Sequence, residues 1–229
     1  HGSGPVDRNG NQPAQNVNSN YIQQFRVAIN TKNIAFFSYD KRTANKENSA
    51  FFKDTKIMDF ASDAQAVVRH FKNKKIFSEI ILIGHSQGAL VAMFASKNTA
   101  KYISLAGAGA TIDKILVQQI SKNNPTLGEA AKQQFDTLRM KGKIEVINPF
   151  LISLFAKPMQ SFWSAWMLLN PLEEIKKLTI PVLIIQGNKD LQVNIENAEA
   201  LHAANLKSEL VIIKNMNHVL KDIQKEEDN

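Results

Sequence analysis

The chain of 229 residues has 28 Lys and Arg against 21 Asp and Glu, a formal net charge of +7, and 44% of it is hydrophobic. This composition is typical of a soluble globular protein and too apolar for a disordered one. Cysteine is absent from the sequence, which excludes a disulfide scaffold, thiol catalysis and cysteine-ligated metal centres. The basic residues are scattered lysines rather than one patch, so we expect a solvated surface and no nucleic-acid partner.

Helical and strand patterns alternate along much of the chain. After a Gly-, Asn- and Pro-rich loop over residues 1–20, apolar spacing predicts helices over 21–29, 59–71, 87–96 and 195–204. Short apolar runs predict strands over 34–39, 78–83, 102–106, 181–186 and 210–214. The longest apolar stretch, 76–95, is interrupted by polar residues, so no membrane span is predicted. Alternation of this kind predicts an α/β fold with a mostly parallel sheet flanked by helices.

The alternation breaks between residues 111 and 178. No strand is evident there, and helical patterns at 112–120, 128–140 and 158–169 follow one another. A stretch of this length is too long for a simple connection between two strands. We therefore predict an α/β core of residues 1–110 and 179–229, with a helical cap at 111–178 inserted after the third predicted strand.

The pentapeptide Gly84-His85-Ser86-Gln87-Gly88 lies directly after one predicted strand and directly before a helix. The G-x-S-x-G pattern alone is weak, but strand, sharp turn and helix together are the context of a nucleophile elbow. Two glycines permit the close approach of strand and helix. Ser86 is therefore the predicted nucleophile.

A serine hydroxyl needs a base, and the base needs an orienting acid. Of the five histidines, only His218 follows a predicted strand in a loop; the others open the chain, lie in predicted helices or lie inside the elbow. Asp190 comes just after the strand at 181–186, which places it at the same sheet edge. Asp113 is the competing acid, but it lies seven residues beyond its strand and opens a predicted helix. Ser86, Asp190 and His218 are the predicted catalytic triad.

The chain order Ser, Asp, His is that of the α/β-hydrolase triad. The opening HGSGP with DRNGN, the string Tyr39-Asp40-Lys41-Arg42 and the elbow GHSQGA resemble bacterial carboxylesterases of the α/β-hydrolase superfamily, a group that includes cinnamoyl and feruloyl esterases. The resemblance implies that the backbone N–H groups of Ser3 and Gln87 form the oxyanion hole. We also expect Asp7 and Arg8 to brace this loop as an ion pair.

Aromatic side chains recur at helical spacing in the predicted cap. Such a face either packs the cap onto the body or lines a substrate pocket, and pocket lining would favour an apolar or aromatic acyl group. The candidate pocket residues are Phe155, Phe162, Trp163 and Trp166.

These features predict a serine hydrolase that cleaves small carboxylic esters through an acyl-enzyme, with no metal or organic cofactor. A serine peptidase or amidase, a thioesterase and an acyl transferase would use the same triad. A binding module that kept a hydrolase scaffold is the non-enzymatic alternative. Cellular location and oligomeric state stay open, since a targeting segment would precede His1.

The sequence also predicts an incomplete sheet. In the resembled fold, a central strand precedes the oxyanion loop, which in this chain is the opening HGSGP, and lies between the strands predicted at 34–39 and 78–83. With the loop at His1, that strand and two earlier ones have no counterpart in the sequence. We therefore expect these residues to be part of a longer polypeptide.

Overall fold

A parallel sheet lies at the centre of the molecule, whose computed structural model describes residues 1–52 and 55–224. Four strands in the described part of the chain lie side by side in chain order: β1 (Ile81–His85), β2 (Lys101–Leu105), β3 (Val182–Gly187) and β4 (Glu209–Ile213). Every neighbouring pair is parallel. The carboxyl ends of all four strands therefore lie at one edge of the sheet, where ligand sites of α/β proteins usually form. The predicted α/β class is confirmed.

Helices precede the first strand and connect the later ones. Those outside the segment between β2 and β3 are α1 (Tyr21–Asn30), α2 (Ser49–Phe52), α3 (Ile57–Lys74), α4 (Gln87–Ala95) and α10 (Ile195–Ala204), with 3₁₀ turns at Pro13–Gln15 and Lys46–Asn48. The central helix α4 is apolar around its whole circumference, and nearly all of its residues are buried, as a helix of that composition requires.

The segment between β2 and β3 is helical, as its sequence predicts. It contains α5 (Ile112–Asn123), α6 (Pro125–Lys141), α7 (Ile152–Phe155), α8 (Lys157–Trp166) and α9 (Pro171–Lys176), with a 3₁₀ turn at Pro149–Leu151. Side chains of this segment share one hydrophobic core with α3, α4 and the sheet. The division of the chain into a core and a cap stays a prediction.

The strand predicted over residues 34–39 is wrong: these residues form no strand. They lie across a cavity of about 340 Å³ from β1, which has no strand on its outer side among the described residues. Ile34 and Phe37 are 52% and 56% exposed. A strand needs a hydrogen-bonded neighbour as well as an apolar sequence, and this segment lacks one.

Candidate active site

Ser86 occupies the turn between β1 and α4 in a backbone conformation that non-glycine residues rarely adopt. Its φ is 54° and its ψ is −119°, and strain of this kind concentrates at functional sites. The Ser86 N–H donates to the carbonyl of Leu105 at 2.9 Å, which ties the turn to β2. A Cβ atom at Gly84 would lie 2.1 Å from the Gly88 carbonyl oxygen, so this close approach of strand and helix requires glycine.

His218 and Asp190 form a buried pair on the loops that follow β4 and β3. The Nδ1 atom of His218 lies 2.7 Å from Oδ2 of Asp190. The other carboxylate oxygen of Asp190 accepts the N–H groups of Gln192 and Val193, both at 2.8 Å, and Gln186 donates to Oδ2 at 3.0 Å. A carboxylate held in this way keeps the proton of the imidazole on Nδ1 and leaves Nε2 free to act as a base.

Ser86 and His218 line the same cavity, whose volume is about 350 Å³. This volume lies within the usual range for small-molecule sites. No hydrogen bond joins Ser86 Oγ to His218 in the described part of the chain. Such bonds are often long before substrate binds, and the two residues share the wall of one cavity.

Ser3 and Gln87 line this cavity as well. Gln87 is the first residue of α4, so its N–H has no partner within the helix, and the positive end of the helix dipole favours negative charge at that point. Among the described residues, the N–H groups of Ser3 and Gln87 have no protein acceptor. Both donors are therefore available to an oxygen atom in the cavity.

Asp113, the competing acid, is placed differently. It lies in the first turn of α5 and pairs with Arg139 of α6. Its partner is a cation of the helical segment, whereas His218 pairs with Asp190.

The structure places one of the four candidate pocket residues at the cavity and the other three at the hydrophobic core. Trp166 lines the cavity with Ser86. Phe155 is fully buried against Phe135, Phe162 packs on Phe60 and Trp163 stacks on Trp166. These three belong to the hydrophobic core or pack against it.

The expected ion pair between Asp7 and Arg8 is wrong. Arg8 instead pairs with Asp40 at 2.7 Å, while Asp7 accepts the N–H groups of Asn9 and Asn11 at 2.8 Å. A carboxylate that accepts nearby N–H groups closes a local turn. The loop is therefore braced, but across to residue 40 rather than between neighbours.

Two residues that sequence reasoning left without a role connect the loops of the site. Nε2 of His85 lies 2.7 Å from the carbonyl oxygen of His218, and its Nδ1 lies 3.1 Å from the hydroxyl of Tyr21. The N–H of Gly2 donates to the same hydroxyl at 3.4 Å. Burial, reinforced by His218, lowers the pKa of His85 well below its usual value, and burial raises the pKa of Tyr21 to about 12.

Both rings are therefore neutral near pH 7, and each group in the hydrogen-bonded chain donates to the next. The Gly2 N–H donates to the hydroxyl of Tyr21, this hydroxyl donates to Nδ1 of His85, and Nε2 of His85 donates to the backbone carbonyl oxygen of His218. This chain joins the loop that carries Ser3 to the loop that carries His218.

Lys41 is a further buried polar residue at the site, and its ammonium donates to the carbonyl oxygens of Gly2 and Gly4 and to the side chain of Gln87. The sequence marks it only as part of the string Tyr39-Asp40-Lys41-Arg42. Nothing in the local pattern distinguishes a buried lysine from the many exposed ones.

The described residues contain no cluster of His, Asp and Glu suited to a metal ion. Within the same residues, every helix is too short or too polar to cross a membrane.

Comparison with known proteins gives one curated relative and many solved structures. Esterase EstD of Thermotoga maritima is 27% identical over 207 residues, which cover 87% of this chain and 47% of EstD. The chain thus spans about half the length of that relative. No family model matches the sequence.

Two solved structures match nearly the whole chain. Est1E from Butyrivibrio proteoclasticus with ferulic acid bound has a TM-score of 0.58 at 17% identity, over 94% of this chain and 80% of its own. BpoC from Mycobacterium tuberculosis H37Rv has a TM-score of 0.57 at 13% identity, over 96% of this chain and 87% of its own. The fold is that of the α/β-hydrolases, as the sequence resemblance implies.

Proposed function

We propose that this chain is a serine hydrolase that cleaves small carboxylic esters through an acyl-enzyme. The observation that carries the proposal is the placement of the strained Ser86 turn on the same cavity as the His218–Asp190 pair. The name of the curated relative, an esterase, favours esters over amides and thioesters among the substrates that such a triad attacks.

In the proposed reaction, Ser86 Oγ attacks the ester carbonyl carbon while its proton passes to Nε2 of His218. Asp190 holds the imidazole and stabilises the imidazolium. The N–H groups of Ser3 and Gln87 bind the oxygen that becomes negatively charged. His218 then gives its proton to the leaving alcohol, and later activates the water that releases the acid.

The helical segment 111–178 acts in this proposal as a cap over the cavity. Its contribution to the cavity wall is mostly apolar, from Ile112, Ile115, Leu116, Gln119, Trp166 and Pro171. An apolar wall in the cavity that contains Ser86 favours an ester whose acyl group is apolar or aromatic.

Replacement of Ser86 by alanine tests the proposal. We expect Ser86→Ala to lower kcat/KM on p-nitrophenyl acetate and butyrate by about 10³-fold or more, because the variant lacks the hydroxyl that forms the proposed acyl-enzyme. Ser62→Ala, which removes an exposed hydroxyl from α3, is the matched control and should retain turnover. Undiminished ester cleavage by Ser86→Ala would exclude the mechanism.

A further inference from the structure

Lys41 is 4% exposed, and all three hydrogens of its ammonium have acceptors. Nζ donates to the carbonyl oxygens of Gly2 at 2.8 Å and Gly4 at 3.1 Å, and to the side-chain Oε1 of Gln87 at 2.5 Å. A lysine ammonium has three N–H donors, so these bonds account for its full capacity.

The identity of the three acceptors is informative. Gly2 and Gly4 flank Ser3, and Gln87 directly follows Ser86 in the chain. One cation therefore binds the loop that presents the first proposed oxyanion donor and the residue that presents the second. Lys41 is remote in sequence from both segments: 39 positions separate it from Gly2 and 46 from Gln87.

Burial of this charged ammonium lowers the stability of the folded chain. The three acceptors are neutral, and Nζ also lies 4.6 Å from the centroid of the Phe60 ring. Burial lowers the pKa of Lys41 to about 7, because removal from water disfavours the charged form. Titratable groups in such environments concentrate at functional sites.

We infer that Lys41 is a positioning residue that fixes the two oxyanion donors relative to each other. The inference rests on the proposed function. Because the loop and Gln87 meet at its ammonium, Lys41 acts on stabilisation of the charged transition state rather than on binding of the neutral ester.

Arg42 provides a matched comparison from the same loop. Its guanidinium bonds the carboxylate of Asp63 at 2.7 and 2.8 Å, on α3 and away from the oxyanion loop. Replacement of Arg42 removes a basic side chain and its contacts without touching Gly2, Gly4 or Gln87. If Lys41 only stabilised its own loop, replacement of Lys41 and replacement of Arg42 would have similar effects on kcat.

The experiment compares Lys41→Met with Arg42→Met on p-nitrophenyl acetate, with thermal unfolding of each. We expect Lys41→Met to lower kcat by about 10- to 100-fold with KM within about 3-fold, since loss of one oxyanion donor costs about 10²- to 10³-fold and Lys41 acts through such donors. Arg42→Met should keep kcat within about 3-fold. Equal kcat values for the two variants would overturn the inference.

The absence of cysteine from these 229 residues permits a chemical rescue. In Lys41→Cys, the single thiolate displaces bromide from 2-bromoethylamine and becomes a lysine analogue with sulfur in place of one methylene. Reaction with iodoethane gives the same side chain without the ammonium. Both reactions are done on the unfolded protein, and wild-type chain is treated and refolded in parallel.

We expect the aminoethyl product to recover kcat and the ethyl product to stay at the level of Lys41→Met. Equal activity of the two products would contradict the inference. Its failure is separable from failure of the proposed function: if wild type cleaves esters and Ser86→Ala does not, unchanged kcat in Lys41→Met removes only the role of Lys41. An inactive wild type or an active Ser86→Ala removes the proposed function itself.

Discussion

Asp190 and Asp113 are both buried carboxylates, but their partners differ. Asp190 accepts two backbone N–H groups and faces Nδ1 of His218, whereas Asp113 pairs with Arg139. Only the first arrangement can hold an imidazole in the tautomer that a general base needs.

We therefore expect Asp190→Asn to lower kcat by about 10⁴-fold, because an amide in that place favours the wrong tautomer of His218. Asp113→Asn, an equally conservative change at a buried carboxylate, should leave kcat close to wild type. Steady-state kinetics on one p-nitrophenyl ester measures both. A large loss of kcat in Asp113→Asn with little loss in Asp190→Asn would reverse the assignment of the acid.

The close contact between β1 and α4 fixes the position of Ser86, which lies between them. A side chain at Gly84 would meet backbone, since its Cβ would lie 2.1 Å from the Gly88 carbonyl oxygen and 2.7 Å from the Ala89 Cα. Backbone cannot move aside as a flexible side chain can. The strand or the helix would have to shift, and Ser86 lies between them.

Gly84→Ala should accordingly destabilise the protein by about 2 kcal/mol or more and lower ester turnover at temperatures where the variant is still folded. Gly142→Ala is the control: its φ is +70° and a Cβ there meets nothing within 4 Å, so only the cost of left-handed backbone, about 1 kcal/mol, is expected. Denaturant unfolding and kcat of both variants measure the difference. A milder effect of Gly84→Ala than of Gly142→Ala would contradict this account of the elbow.

The helices were predictable from sequence because their apolar spacing is a local property. The pattern at 59–71 lies within α3, Ile57–Lys74, and the run at 195–204 matches α10. Residues 34–39 have the same apolar character as β1 but form no strand, because strand formation depends on a neighbour that a local pattern does not reveal.

Across the whole molecule, the proposed catalytic residues were predictable because each follows a strand, and parallel strands bring their carboxyl ends to one edge. The contacts that join those loops were not. His85 reaches the carbonyl of a residue 133 positions away, and Lys41 binds three groups from two remote segments. Such contacts follow from the folded arrangement and leave no periodic signal in the sequence.

Covalent labelling tests whether Ser86 is the activated nucleophile. Wild-type protein is treated with a fluorophosphonate, which reacts with activated serines, and the modified peptide is identified by mass spectrometry. We expect one adduct, on Ser86, whose amount rises in proportion to the loss of ester turnover, and no adduct in Ser86→Ala. Full inhibition with the adduct on another serine, or ester turnover that persists without any adduct, would contradict it.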